Sequence, residues 1–381
     1  MSKKKIGSSC EVLNGYAFKS KKYVDEGIRI IRIANVQKGY IEDNNPAFYP
    51  VDSEGLEKYM LEEDDLLISL TGNVGRVALL NSAMLPAALN QRVACLRLRD
   101  YEIDKKFLFH YLNSSVFENK CIQESKGVAQ KNMSTEWLKR QVIPSYKLSE
   151  QKRITEILDR VIEVITAKNK QLHEYDQLIK SQFVEMFGDQ KTNPKNWIVK
   201  TIGDVCILKS GTSLPSNIQN EGGVIPYVKV GDMNLIGNEK YITTSSRYVS
   251  EKTAGRGLFD VGTIIFPKRG GAIGTNKKRM TISPICADLN VMGVTPNELL
   301  DSIYLLAYFD EIDMGTLNNG SSVPQINNKD IAPLKICVPP LKLQVQFADF
   351  VRQVDKLKFE VQKSLDETQT LFDSLMQEYF G

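Results

Sequence analysis

The amino-acid sequence predicts an α+β protein: two similar globular, α/β-mixed domains separated by two long helices that pair as an antiparallel coiled coil, with a pseudo-twofold internal repeat. Three observations predict it. The chain closes on SLMQEYFG and carries KSQFVEMFG nearly two hundred residues earlier; each of these strings ends a heptad-patterned stretch; and short motifs recur in the same order in both halves.

The helices come first because their repetition is strictest. Subtracting 193 pairs Gln344 with Gln151 and every later residue through Gly381 with Gly188 without a gap, and ten of the 38 pairs are identical. They include Val161 with Val354, Lys170 with Lys363, Leu172 with Leu365, Leu178 with Leu371 and Glu185 with Glu378. A fixed register of this kind marks an internal repeat. In the first copy the apolar positions Ile154, Leu158, Val161, Ile165, Leu172, Tyr175, Ile179 and Met186 form a heptad seam with Lys168 and Gln182 as polar members. The second runs Phe347, Val351, Val354, Val361, Leu365, Thr368, Phe372, Leu375 and Tyr379, interrupted by Lys358. Pro144 and Pro339-Pro340 precede the helices, Ser149 can cap the first, and Gly188 and Gly381 stand where a helix would stop. Such a helix extends about 57 Å, too long for one small core to cover. Each could lie on its own domain as an unrelated amphipathic helix, but the shared seam favours mutual pairing.

The globular parts repeat more loosely. IGSSCEVLNG at Ile6 matches IGDVCILKSG at Ile202, IRIANV at Ile31 matches VKVGDM at Val228, GNVG matches GAIG, and DKKFLFHYL at Asp104 parallels DSIYLLAYF at Asp301. β-rich runs at Ile28 to Val36, Leu66 to Leu70, Val93 to Leu98, Val224 to Val230 and Thr263 to Phe266 read as strands between Gly, Pro and Asn punctuation. Lys105 to Asn113 and Ser302 to Phe309 read as helices.

Composition excludes several classes. The 381 residues carry a net charge of only +3, so no general polyanion-binding coat is indicated, and no apolar run is long enough to span a bilayer. MSKKKIGSSC lacks the apolar core of a signal peptide, so a cytoplasmic protein is expected. Six cysteines show no C-x-x-C spacing, and His110 and His173 have no ligand cluster beside them, so buried reduced thiols and no metal site are expected. His110 is expected to pack near its helix and Tyr175 to continue the seam. Phosphate-loop and G-x-S-x-G motifs are missing, as is an Asn-Pro-Pro-aromatic motif for adenine methylation. No catalysis and no cofactor are expected of this chain.

These strings together resemble the specificity (S) subunits of type I restriction-modification systems. PSYKLSEQKRITEILDRV with EMFGD in the middle, PPLKLQVQFADFVRQVDKLK with SLMQEYFG at the end, and GDVCILKSGTSLPS opening the second half carry the likeness, which extends over essentially the whole chain. One departure is LQVQF in the second helix where the first has SEQKRI. The resemblance implies target-recognition domains at 1–143 and 189–338 and spacer helices at 144–188 and 339–381. It implies recognition of a bipartite, asymmetric site in double-stranded DNA, methyltransferase (M) subunits, two being expected, and restriction (R) subunits in the full complex. M-subunit docking is assigned to Ile154, Leu158, Val161, Phe347, Val351 and Val354.

Reading bases needs Arg or Lys for guanine and Asn or Gln for adenine, with basic or amide groups on phosphates. In the first domain the candidates are Thr71, Asn73 and Arg76 of LTGNVGR, Gln91 and Arg92 of LNQR, and Lys126, Gln130, Lys131 and Asn132 of KGVAQKN. In the second they are Lys268, Arg269, Asn276, Lys277, Lys278 and Arg279 of PKRGGAIGTNKKR, and Ser321, Ser322, Gln325 and Asn327 of GSSVPQINN. The run from Arg256 to Arg279 holds six basic residues against one acid, Asp260. Asn90 and Asn290 recur in both domains, which favours a turn role. The rival reading is a coiled-coil scaffold with two protein-binding heads and no DNA.

Overall fold

The computed structural model describes residues 4–125, 132–220, 222–317 and 324–381, apart from the side chain of Arg256. It divides into two compact units, Met1–Asn169 with Lys363–Gly381, and Lys170–Gln362.

In the first unit an antiparallel sheet runs Cys10–Asn14, Val93–Leu98, Leu66–Ser69, Val77–Leu79 in space. Its central strands read as unbroken apolar runs because both faces are covered. Leu66, Ile68, Ala94 and Leu96 point into one core with the helix Lys105–Leu112. Leu67, Val93 and Cys95 point into a second core with Ile31, Ala87 and Leu89. Those last residues belong to a smaller sheet, Phe48–Tyr49, Ile28–Ile31, Ala87–Leu89, whose second pairing is parallel. The strand expected over Ile28 to Val36 stops at Ile31 because Asn35 closes a turn, its Oδ1 accepting from the Arg32 N–H at 2.9 Å.

The second unit repeats this topology. Cys206–Ser210, Val291–Pro296, Ile264–Pro267 and Arg279–Thr281 pair in the same order and sense, extended by Tyr241–Ile242. Ile225–Val228 and Ile285–Ala287 again pair in parallel. Ile264 and Phe266 face one core and Ile265 the other, as the alternation of a strand requires.

The long helices span Leu148–Phe187 and Leu341–Phe380. Ser149 lies inside the first turn rather than capping it, because the Lys147 carbonyl already accepts from the Glu150 and Gln151 N–H groups. In the first unit Ile154 and Leu158 share a core with Met376 and Phe380, and Lys168 donates to Ser364 Oγ. In the second, Phe183 and Phe187 share a core with Phe347, Ala348 and Val351, and Lys358 pairs with Asp176. The duplicated closing Phe has one task in both units. Phe380 packs 5.4 Å from Phe107 and 5.9 Å from Tyr111, and Phe187 packs 4.7 Å from Tyr304, centroid to centroid. The terminal carbonyls are also met alike, Tyr146 Oη donating to Tyr379 O and Trp197 Nε1 to Phe187 O, each at 3.0 Å. Gly188 continues from the first helix at φ +76°, where a Cβ would come 2.8 Å from Pro194.

One buried amide fastens the start of each helix. Gln151 Oε1 accepts from the Asp104 N–H at 2.9 Å, and its Nε2 donates to Glu102 O at 3.1 Å and Tyr146 O at 2.9 Å. Gln344, 193 residues on, accepts from the Asp301 N–H at 2.8 Å and donates to Leu299 O at 3.0 Å and Pro339 O at 2.8 Å. Each glutamine thus satisfies one N–H and two carbonyls that its own burial removes from water. Gln151→Ala and Gln344→Ala are expected to lower the stability of their own units by about 2–4 kcal/mol, since three buried backbone groups lose their partner. The chain has one tryptophan in each unit, Trp137 and Trp197. Urea unfolding of W197F and W137F backgrounds reads the units separately; wild-type midpoints in both variants would contradict the assignment.

Candidate nucleic-acid interface

Strand direction gathers the candidate loops. In the first unit Asn14 stands opposite Ala94, Ser69 opposite Val93, and Ile68 opposite Val77, so the loops after Asn14 and Ser69 and before Val93 and Val77 leave the same end of the sheet. Thr71 bridges to Asn132 and Met133 N donates to Leu70 O, which brings the 132 segment to that end as well. Thr71, Asn73, Arg76, Gln91, Arg92 and Asn132 are therefore brought together. Asn73, Gln91, Arg92 and Asn132 are exposed, whereas Arg76 is half-buried and donates to Gln37 Oε1. Lys126, Gln130 and Lys131 lie outside the described residues.

The second unit places its loops equivalently. Ser210 stands opposite Met292, Pro267 opposite Val291 and Ile265 opposite Arg279, while Arg269 bridges to Gln325. Two glycines make room at this end. A Cβ on Gly15 would come 2.1 Å from Asn90 O, and one on Gly211 2.1 Å from Asp288 O, so in both units the adjoining loop passes directly against a glycine. Asn90 and Asn290 sit in these loop backbones; Asn290 N and Nδ2 both donate to Asp288 Oδ1.

The basic run of the second unit divides on inspection. Lys268 is buried and donates to Ser210 Oγ at 2.7 Å. Lys278 is buried and donates to Ile312 O at 2.6 Å and Asn276 Oδ1 at 2.9 Å. Asn276 itself takes φ +53°, and its Oδ1 also accepts from Met314 N at 2.9 Å. Arg279 is half-buried, with Nη1 on Lys278 O at 2.8 Å and Nη2 on Met233 O at 3.2 Å; its buried Nε has no partner among the described residues. Burial lowers the pKa of Lys268, with Arg269 adding to the effect, and lowers that of Lys278 against the pull of Asp310, Asp313 and Glu311. Lys277 donates to Asn234 Oδ1. Arg269 is exposed, and Gln325 Nε2 donates to Asn327 Oδ1 at 2.6 Å beside the helix Asn328–Ile331. Ser321 and Ser322 lie outside the described residues.

The docking residues assigned from sequence need correction. Ile154, Leu158, Phe347, Val351 and Val354 are all at most 3% exposed, so they are spent on interior packing and offer no surface to a separate chain, whereas Val161 is half-buried. His110 is buried, its Nε2 2.8 Å from Asp159 Oδ1, while Lys106 holds Asp159 Oδ2 at 2.6 Å. Burial lowers the His110 pKa, against the opposing carboxylate. No cluster of three metal-ligating side chains and no helix long and apolar enough to cross a membrane occurs among the described residues.

The type I restriction modification DNA specificity domain matches this sequence twice, over residues 1–174 and 194–368. The chain belongs to that family. Among its relatives, the specificity subunit of the type I restriction enzyme EcoAI of Escherichia coli is 33% identical over 187 residues, covering 46% of this chain and 32% of the relative. That of EcoKI from E. coli K12 is 21% identical over 406 residues, covering 98% and 87%. The matches to EcoAI and EcoBI span about a third of the length of those relatives. Among solved structures, the crystal structure of the type I restriction-modification S subunit from M. genitalium superposes with a TM-score of 0.58 at 18% identity, covering 100% of this chain and 96% of that one. A chain solved in work on complex assembly of the type I R-M system gives 0.58 at 19%, covering 100% and 97%. The two family domains coincide with the two repeats of topology described above.

Sequence reading passed over one group at the loop end of the first unit: Lys19, Lys21 and Lys22, exposed beside Tyr16. Their run, KSKK, was visible, but acids follow it directly at Asp25 and Glu26 and mask the local sign bias. The split of the second unit's cations yields a direct expectation. Lys278→Glu should destabilise the protein by roughly 2–4 kcal/mol, because it puts an acid against a buried carbonyl and an amide oxygen. Arg269→Glu should change stability by less than about 0.5 kcal/mol. Thermal unfolding of both variants checks this, and equal effects would contradict the placement.

Proposed function

We propose that the chain is the DNA-specificity subunit of a type I restriction-modification complex. Each globular domain reads one half of a bipartite, asymmetric target, and the chain itself performs no chemistry. The observation that carries the reading is the pair of family domains, each turning its polar loops to the same end of the same sheet. Shared frames with different loop residues suit two different half-sites. In this reading the domains are residues 1–143 and 189–338, with 144–188 and 339–381 as spacers, acting in the cytoplasm.

We further propose that the long helices pair antiparallel along their length and fix the separation of the half-sites. The seam supports it: Val161, Ile165, Lys168, Leu172, Tyr175, Ile179, Gln182 and Met186 are half-buried, and between Ile165 and Ile179 all the remaining positions are exposed. The contacts of Lys168 with Ser364 and of Asp176 with Lys358 fit opposed directions, since one number rises as the other falls. M and R subunits would dock on surfaces other than the buried seam, and bring the methyl donor, ATP and the chemistry. Candidate base and phosphate contacts are the exposed Asn73, Gln91, Arg92, Asn132 and Arg269, with Thr71, Arg76, Asn276, Lys277, Gln325 and Asn327 shaping the loops.

Methyladenine mapping in a host that carries this chain with its partner subunits is expected to give a split target with a spacer of fixed length. A heptad inserted after Asn169 and another after Gln362 adds about 10 Å of helix. The spacer should then lengthen by about three base pairs, at 3.4 Å per base pair, while the bases of each half-site stay the same. An unchanged spacer would rule out the helices as the ruler, and the absence of any methylation target in the unmodified chain would rule out the function.

A further inference from the structure

The loop end of the first unit carries a surface built unlike the rest of the molecule. Tyr16 follows the strand Cys10–Asn14 and is stitched to the neighbouring candidate loop, its N–H donating to Leu89 O at 2.8 Å and its carbonyl accepting from Gln91 N at 3.0 Å. Its ring lies 5.0 Å from Phe18 and 5.1 Å from Tyr59; Phe18 meets Tyr49 at 4.9 Å, and Tyr49 meets Tyr23 at 6.4 Å. One side of this aromatic group is anchored on Ile28, Ile30 and Leu56. The other is open to water: Tyr16 is 37% exposed, and the hydroxyls of Tyr16, Tyr23 and Tyr59 have no hydrogen-bond partner among the described residues.

Cations adjoin it along the chain. Lys19, and Lys21 and Lys22 on the turn Ser20–Lys22, are exposed, as is Arg92 next to Gln91. None of the four side chains has an ion pair or hydrogen bond among the described residues. Lys58 sits 5.1 Å over the Tyr59 ring. Three other cations of the same unit are engaged: Arg97 is bound to Asp65 at 2.7 Å, Lys4 to Asp100 at 2.6 Å and Arg29 to Asp43. In the second unit the matching stretch, GTSLPSNIQ, has no lysine, and the nearby Lys209 and Lys229 are held by Leu258 O at 2.6 Å and Gln219 Oε1 at 2.7 Å.

We infer that this surface grips the DNA backbone beside the half-site of the first domain. Lys19, Lys21, Lys22 and Arg92 neutralise phosphates, and the tyrosine hydroxyls act as neutral donors. The inference rests on the DNA-recognition reading above and extends it from Arg92 to Lys19, Lys21, Lys22 and the tyrosines, which that reading did not include. The pattern fits phosphate, because four unpaired cations and donor hydroxyls share this end of the domain. The exposed acids Asp25, Glu26 and Glu57 make the field short-ranged, so the contact is discrete. The grip is also one-sided, as the matching stretch of the second domain has no lysine.

The test uses the full chain assembled with its methyltransferase partners, on duplex DNA bearing the target found by methylation mapping. Neutralising three lysines, K19Q/K21Q/K22Q, should flatten the plot of log affinity against log salt by about two to three units, at about 0.9 per phosphate lost. The methylated sequence should stay the same, and K19R/K21R/K22R should keep the wild-type slope. An unchanged slope in the glutamine variant, or an equal loss in the arginine variant, would overturn the inference while leaving the recognition function standing. If the unmodified complex shows no salt-dependent duplex binding, the recognition function fails first and this surface with it.

Discussion

A buried glutamine that holds three main-chain groups is the constraint on which each half of the molecule depends. Gln151 and Gln344 do not merely pack; each ties the first turns of a long helix to the Asp that heads the next helix of the globular domain. That Asp then caps its own helix, Asp104 accepting from Phe107 N at 2.8 Å and Asp301 from Ile303 N at 2.7 Å. Phe107 and Tyr304 lie one step further on, against Phe380 and Phe187. A linked series of directional contacts therefore runs from helix start through cap to aromatic core. Glutamine suits the post because it has an acceptor and two donors on a stem long enough to reach past its own helix; glutamate lacks the donors and asparagine the reach. Rotation of the helix against its domain would break several of these bonds together, which is how a flexible chain can hold a recognition surface at a set angle.

The seam and the repeats were legible in the sequence because both follow from periodicity. Every predicted seam member from Ile165 to Ile179, the polar Lys168 included, is less exposed than its neighbours, since a heptad pattern states which face is covered whatever covers it; towards the ends Ile162, Phe183 and Phe187 are covered too. The doubled glutamine was visible as a repeated letter, but its role was not, because its partners lie nearly fifty residues away along the chain and are main-chain atoms. The basic run from Lys268 to Arg279 misled in part for a different reason. Clustered charge suggests solvent, yet lysine's long stem let Lys268 and Lys278 be buried with their heads on a hydroxyl and a carbonyl. The residues assigned to docking, such as Leu158 and Val351, are apolar at matching places of the two helices and are buried within the chain.

The two domains show what is fixed and what is free in such a frame. Burial on both faces leaves the strand pairs no latitude, so Leu66–Ser69 and Ile264–Pro267 occupy equivalent places with equivalent neighbours. The loops leaving that frame carry little of the packing. In the first domain they leave lysines and tyrosine hydroxyls open; in the second Lys268, Lys277 and Lys278 fold back on a hydroxyl, an amide and a carbonyl while Arg269 stays exposed. In the proposed account this is the physical basis of an asymmetric target, because like frames keep the two reading surfaces comparable while unlike loops choose different bases and different backbone contacts.

The claim at the centre of this account is that each domain reads its own half-site independently of its twin. It is tested most directly by a chain in which residues 189–338 are replaced by a second copy of residues 1–143, expressed with the partner subunits and followed by genome-wide methyladenine mapping. The account predicts an inverted repeat of the first half-site, separated by the original spacer. Retention of the original asymmetric target would contradict it.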